Sequence, residues 1–492
     1  MKSVSALRGT VLPISNVLAG IVVVFSVAML VPAALAQFED DSGQGAFGVS
    51  ALGIFVAGCL WWLATRRFRR ELKVRDGILL VTLAWVMVPA LAALPLMLGI
   101  PGLSFTDAYF EAVSGLTTTG STVLSGLDHL AASLNFWRHF LHWIGGMGII
   151  VLAVAVLPLL GVGGMQLFRA ETPGPMKDSK LTPRIAHTAK ALWYVYAGIT
   201  LACVISLKLA GMSWFDAVCH AFSTMALGGF STHDASVGYF DSLRIELVLS
   251  TFEIIAAMSF ATHFLAVRER SLAPYKRDTE AKTILKILAV SVLGLALFLT
   301  VKGTYPDYFT ALRHAAFNII TIATTCGFAT QDYASWPLFA PLWMLFLSCI
   351  IPSAGSTGGG IKMIRAVLLA KQTARELTGI LHPNLMRPVK VAQTVVDNSV
   401  ILAVLGFVFL YFMSVVVLTL VLIASGLDLT AALTATVASI NNAGPGLGIV
   451  GPTSNYSVLN DFQTWVCAVA MLLGRLEVFT LIVIFTPAFW RK

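Results

Sequence analysis

Apolar runs long enough to cross a lipid bilayer recur along the whole chain, at about residues 13–36, 47–64, 77–99, 137–160, 185–211, 245–267, 282–302, 338–375, 395–425 and 463–488. About 20 helical residues span the hydrocarbon core, and inside it only helices or closed barrels satisfy their own backbone. Ten such runs therefore predict an all-α polytopic membrane protein with both termini on one side. Composition agrees: 57% of the 492 residues are apolar and only 12% charged, where soluble domains carry about 25% charge. The first run ends in Ala34-Leu35-Ala36, a small-residue pattern of the kind found at signal-peptide cleavage sites. Its apolar part is longer than a signal peptide's, so an uncleaved first helix is the expectation.

Assigning alternate connections to opposite sides collects the basic residues on one of them: Lys2 and Arg8, Arg66 to Arg75, Arg169 to Lys190, Arg268 to Lys286, Lys362 to Lys390, and Arg491 with Lys492. Only Arg138, Lys208, Arg244, Lys302 and Arg313 fall on the other side. The basic side is the cytoplasmic one. Acidic residues such as Asp107, Glu111, Asp128, Asp216, Asp234 and Asp241 gather outside. They either draw cations to an outer mouth or simply remain where the basic residues are not. The net charge of +8 has no aromatic-interleaved basic patch beside it, so no nucleic-acid partner is expected. The six cysteines form no CxxC and no zinc-like spacing with histidine. His220, His263 and His314 are read as packing residues, and Lys208 and Lys302 as side chains reaching for the outer interface.

The outer connections share a plan. In each of the last four pairs of runs, a moderately apolar segment too short to span leads into a small-residue turn. The turns contain Thr118-Thr119-Gly120, Gly228-Gly229, Cys326-Gly327 and Ala443-Gly444, and each glycine follows an alanine by twelve positions: Ala108, Ala217, Ala315 and Ala432. A helix of about 12 residues rises about 18 Å, enough to dip into a bilayer and return. Non-helical backbone at that depth lines a cavity or is buried in protein. Four such turns around one axis can present carbonyl oxygens in place of a cation's hydration shell, and glycine permits the twist that aims them. The alternative is four hairpins that only pack.

Two further segments stand out. Ile351-Pro-Ser-Ala-Gly355-Ser356-Thr357-Gly358-Gly359-Gly360 interrupts the eighth run; proline costs a helix about 3 kcal/mol and each glycine about 1. It is either an unwound plug or a kinked helix. Arg475 lies within the last run, two residues before Glu477. It either faces a watery path, the default for a charge at that depth, or is a structural ion pair with Glu477 or Glu253.

These segments together resemble the Trk/Ktr/HKT superfamily of potassium transporters, closest to its bacterial TrkH branch. The resemblance rests on the threonine-rich turn before Gly120, Gly229-Phe-Ser-Thr, Thr-Thr-Cys-Gly327-Phe, Asn441-Asn-Ala-Gly444-Pro-Gly, Ser356-Thr-Gly-Gly-Gly-Ile-Lys362 and Gly474-Arg475-Leu-Glu. It implies four helix–pore-helix–helix repeats around a central pore plus two extra N-terminal transmembrane helices, divided as 1–75, 76–165, 166–270, 271–380 and 381–492. It further implies K+ as the transported ion, held by Thr118, Thr119, Gly120, Gly228, Gly229, Cys326, Gly327, Ala443 and Gly444. Gly355, Ser356, Thr357, Gly358, Gly359, Gly360 and Arg475 would then form the gate. A homodimer, the lipid bilayer and a cytosolic TrkA-like nucleotide-binding subunit are the implied partners, in the bacterial inner membrane, with no organic cofactor on this chain. No P-loop, dinucleotide fingerprint or HExxH is present, so an enzyme is not expected. The competing transport class is a proton- or sodium-coupled symport on the same fold.

Overall fold

A computed structural model describes residues 2–68, 70, 72–151, 181–384, 388–391 and 394–490. Apart from a two-residue ladder between Lys390–Val391 and Thr394–Val395, the regular structure in these residues is helical. The basic run from Arg169 to Lys180 and the expected boundary at 165/166 lie outside them.

Six described helices are long and apolar enough to cross a membrane, at Val11–Glu39, Gly43–Phe68, Arg75–Gly99, Ala189–Ala210, Thr279–Val301 and Asn398–Ala424. Their apolar residues point outward in number: Leu52, Leu201, Leu293 and Leu402 are all exposed, the pattern of a surface made for lipid rather than water. The Ala34–Ala36 segment is helical, with Ala36 fully buried.

Two of the apolar runs are not straight spans. Leu243–Ala257 meets Phe260–Glu269 at 96°, and Asp461–Arg475 meets Glu477–Phe485 at 104°. The sequence reading took both as single crossings. Neither bend contains proline or glycine; at the first, backbone bonds with a neighbouring segment replace the interrupted ladder, Ser353 N–H donating to the Ala257 carbonyl (2.9 Å) and Phe260 N–H to that of Gly355 (3.1 Å). The eighth run is broken as expected, between Phe339–Ile350 and Met363–Leu381.

Inside the bundle lie four short helices, Phe105–Leu116, Trp214–Ala226, Tyr308–Ala323 and Leu429–Asn441. At about 1.5 Å per residue none is long enough to cross. Each starts at a side-chain cap, Ser104, Ser213, Asp307 or Asp428, whose oxygen accepts a first-turn N–H. The alanines twelve residues before the turn glycines are all fully buried; they are the small residues that let these helices sit within the bundle. The N-terminal helices pack on the helix Ala132–Val151, where Trp137 meets Phe25 and Phe47 at ring distances of 5.7 and 5.8 Å and donates to the Ala92 carbonyl (3.0 Å).

Candidate functional site

All four short helices end in the same way. The residue two before each glycine is left-handed: Thr118 (φ 54°), Leu227 (55°), Thr325 (68°) and Asn442 (53°). Its N–H reaches back to Gly115, Thr224, Ile322 or Ser439, and the next N–H to Ser114, Ser223, Thr321 or Ala438. These paired bonds are the Schellman arrangement that terminates a helix. Two residues on from each, Gly120, Gly229, Gly327 and Gly444 are again left-handed, with φ of 84°, 73°, 93° and 83°. The repeated reversal produces four matching turns at four helix C-termini, where the helix dipole presents partial negative charge.

The turns close into a ring. A Cβ on Gly120 would lie 2.0 Å from the Gly228 carbonyl oxygen; on Gly229, 2.0 Å from that of Cys326; on Gly327, 2.5 Å from that of Ala443; and on Gly444, 3.0 Å from that of Thr119. Each glycine thus abuts the carbonyl preceding the glycine of the next turn, and the fourth returns to the first. Positive φ and lack of space both demand glycine at Gly120, Gly229 and Gly327. All nine residues expected at the ion path are in this ring.

Side chains behind the ring fix it. Asn442 Nδ2 donates to Thr119 Oγ1 (2.9 Å), and both Ser121 Oγ (2.9 Å) and Tyr456 OH (3.0 Å) donate to the Gly444 carbonyl. On the side following the glycines, a cavity is lined by Gly120, Gly229, Gly327, Arg138, His233 and Asp234 among others. Arg138 and Glu111 form a fully buried ion pair there (2.7 Å). Arg138 also donates to the Ser231 carbonyl (3.4 Å), and Glu111 accepts from Val123 N–H (3.1 Å), so the pair joins the first two turns. Nearer the opening, His233 contacts Asp128 at 2.5 Å, a hydrogen bond that holds the Asp128 carboxyl below its usual range.

The broken segment lies on the opposite face of the ring, against residues that precede the glycines. Thr357 Oγ1 donates to the Met225 carbonyl (3.0 Å), and Gly359 N–H to Thr325 Oγ1 (3.1 Å). A Cβ on Gly359 would meet the Asn441 carbonyl at 1.9 Å. Thr357, Gly358 and Gly359 are thus the part in contact with the ring. Gly355 is set at the bend through Phe260, Ser356 bonds locally to the Ser353 carbonyl (2.7 Å), and Gly360 lies against Ser348 and Cys349. Arg475 joins this layer by donating to the carbonyls of Thr357 (2.9 Å) and Gly145 (3.0 Å). Among the described residues neither ion pair considered for it, with Glu477 or with Glu253, forms: Glu477, left-handed just after the 104° bend, pairs with Arg365 instead (2.7 Å).

His220 and His263 are buried and hydrogen-bonded, the first to Ser231 Oγ (3.0 Å), the second to Tyr275 OH (2.7 Å), while His314 stacks on Tyr305. Reading from the sequence missed Arg138–Glu111, Arg365–Glu477 and Glu280. Their signal was a charge inside or beside an apolar run; what it lacked was a partner, since each pair is far apart in the chain.

The fold matches known proteins over nearly the full chain. A family model described as TrkH, cation transport protein, matches residues 43–492. The chain belongs to the TrkH family. Among TrkH relatives, the Trk system potassium uptake protein TrkH of Vibrio parahaemolyticus is 47% identical over 471 residues, covering 95% of this chain and 97% of that protein. That of Halomonas elongata is 47% identical over 485 residues, covering 97% and 99%. The crystal structure of the potassium transporter TrkH from Vibrio parahaemolyticus superposes with a TM-score of 0.90 at 43% identity, covering 98% of this chain and 99% of that one. Membership in TrkH makes the chain a cation transporter and not an enzyme.

Proposed function

We propose that this chain carries potassium into the cell across the bacterial inner membrane, through a filter formed by the carbonyls of the four-turn ring. The ring of glycines, each abutting the next repeat's carbonyl, carries this reading: it gathers backbone oxygens at helix C-termini, where a dehydrated cation is favoured. The ion is taken from the relatives, which are named potassium uptake proteins. Thr118, Thr119, Gly120, Gly228, Gly229, Cys326, Gly327, Ala443 and Gly444 are its binding residues. The loop Gly355–Gly360, with Arg475, obstructs the path below. Repeat boundaries follow at 76–165, 166–270, 271–380 and 381–492, after an N-terminal pair at 1–75, with both termini cytoplasmic. The relatives' designation as parts of a Trk system supports a cytosolic TrkA-like nucleotide-binding subunit that works the gate, on a homodimer of this chain.

Rubidium or potassium uptake against sodium, in a cell deficient in potassium uptake, tests the reading. Gly120→Ser should weaken discrimination against sodium, because a side chain at that φ displaces one quarter of the ring. Unchanged selectivity in that variant would remove the turn as the filter.

A further inference from the structure

Three groups at the neck of the intramembrane loop converge on one carboxylate. Glu280, in the first turn of Thr279–Val301, is 2% exposed. Its Oε2 accepts from Ser353 Oγ (2.8 Å), and its Oε1 from the N–H groups of Ala354 (3.0 Å) and Ile364 (3.0 Å). Ser353 and Ala354 enter the loop and Ile364 leaves it, so a single side chain spans the neck from both sides. One backbone bond, Met363 N–H to the Pro352 carbonyl (2.9 Å), lies beside it. A buried donor left without its acceptor bears the full desolvation cost.

Glu280 also stands next to a route from the cytoplasmic side. Two residues earlier, Asp278 caps the same helix through Ala281 N–H (3.1 Å) and accepts from Thr262 Oγ1 (2.8 Å) on Phe260–Glu269, the helix beyond the 96° bend. That bend is itself bonded to the loop at Ser353 and Gly355. The 260–278 segment is therefore bonded to both sides of the neck, to the loop at the bend and to the Glu280 helix through Asp278.

We propose that Glu280 is the positioning residue that holds the loop closed across the ion path, and that opening withdraws its carboxylate from Ser353, Ala354 and Ile364. This rests on the reading of the loop as the obstruction.

The test is rubidium uptake in potassium-uptake-deficient cells lacking the cytosolic subunit, at matched membrane levels, for wild type, E280A, E280D, E280Q and a partial deletion of 354–359. E280A should raise uptake at least about tenfold, because three bonds to one acceptor are lost together. E280Q should stay within about twofold of wild type, since its amide oxygen still accepts both N–H groups and its NH2 can donate to Ser353. E280D, one methylene short of the neck, should fall between them, and it decides the matter if E280A does not reach the membrane. Wild-type flux in E280A and E280D beside high flux in the deletion would overturn the role of Glu280 while sparing the gate. Low flux in the deletion as well would overturn the obstruction and the latch with it. E280Q as open as E280A would overturn positioning, because charge alone would then be what matters.

Discussion

Alanine placed at each of the four ring glycines in turn should damage selectivity in a fixed order. All four share a left-handed φ between 73° and 93°, so the intrinsic penalty of about 1–2 kcal/mol for a residue with a Cβ is common to them. Room is not. To bring the new Cβ to an ordinary 3.4 Å contact, the facing carbonyl must retreat by about 1.4 Å for Gly120 and Gly229, about 0.9 Å for Gly327 and about 0.4 Å for Gly444. The Gly228 that bears the facing carbonyl at the first joint is itself hemmed in, since a Cβ built on it would meet the His142 ring, which stacks on Phe230 at 4.1 Å. With the ring as the proposed filter, a shift beyond about 1 Å would remove a carbonyl from the ion's shell, while a few tenths would be absorbed. G444A should therefore keep potassium-over-sodium discrimination within about tenfold of wild type, about 1.4 kcal/mol, with G327A worse and G120A and G229A worst. The readout is rubidium uptake competed by sodium, with expression matched by membrane immunoblot. Equal losses at all four positions, or G444A as damaged as G120A, would refute the steric argument.

R475A should raise flux, since it removes both a buried positive charge and the tie to the Thr357 carbonyl; R475K, which keeps the charge but not the two-carbonyl span, separates these contributions, and unchanged uptake in both would remove Arg475 from the gate. E111A should destabilise the detergent-solubilised protein by about 3–5 kcal/mol, because it leaves Arg138 buried without its partner, and a joint apolar replacement of both should cost less; thermal unfolding measures each. Asp128 has its carboxyl lowered by His233, so its contribution to the outer loops is present above the usual carboxylate range and fades as pH falls through its own lowered value. D128N should flatten that acid-side loss of thermal stability, and an unchanged pH profile would show that the contact contributes nothing.

The helical runs and the four glycine turns were legible because each leaves a local mark: length and hydropathy in one case, a glycine at a fixed distance from an alanine in the other. Less visible was the left-handed residue two before each glycine, since threonine, leucine, threonine and asparagine fill it. That conformation is imposed by the Schellman bonds and the neighbouring repeat, not by residue type. The bends at Met258–Ser259 and Leu476 were likewise hidden. They contain no helix breaker, and at the first the interrupted ladder is offset by bonds to a loop much further along the chain, at Ser353 and Gly355. Arg475 stood out as a charge within an apolar run, and it is buried, but its carbonyl partners, Thr357 and Gly145, are 118 and 330 positions away.

Because the ring is written into one polypeptide, its quarters are addressable one at a time. In a pore assembled from four identical subunits, any codon change is copied around the whole circumference and its effect is multiplied. Here a change at Gly444 leaves the other three glycines as they were, and the joints already differ, from 2.0 Å at Gly120 to 3.0 Å at Gly444. On the proposed reading of the ring as the filter, single substitutions would shift ion preference one quarter at a time, with the roomiest joint the most open to variation.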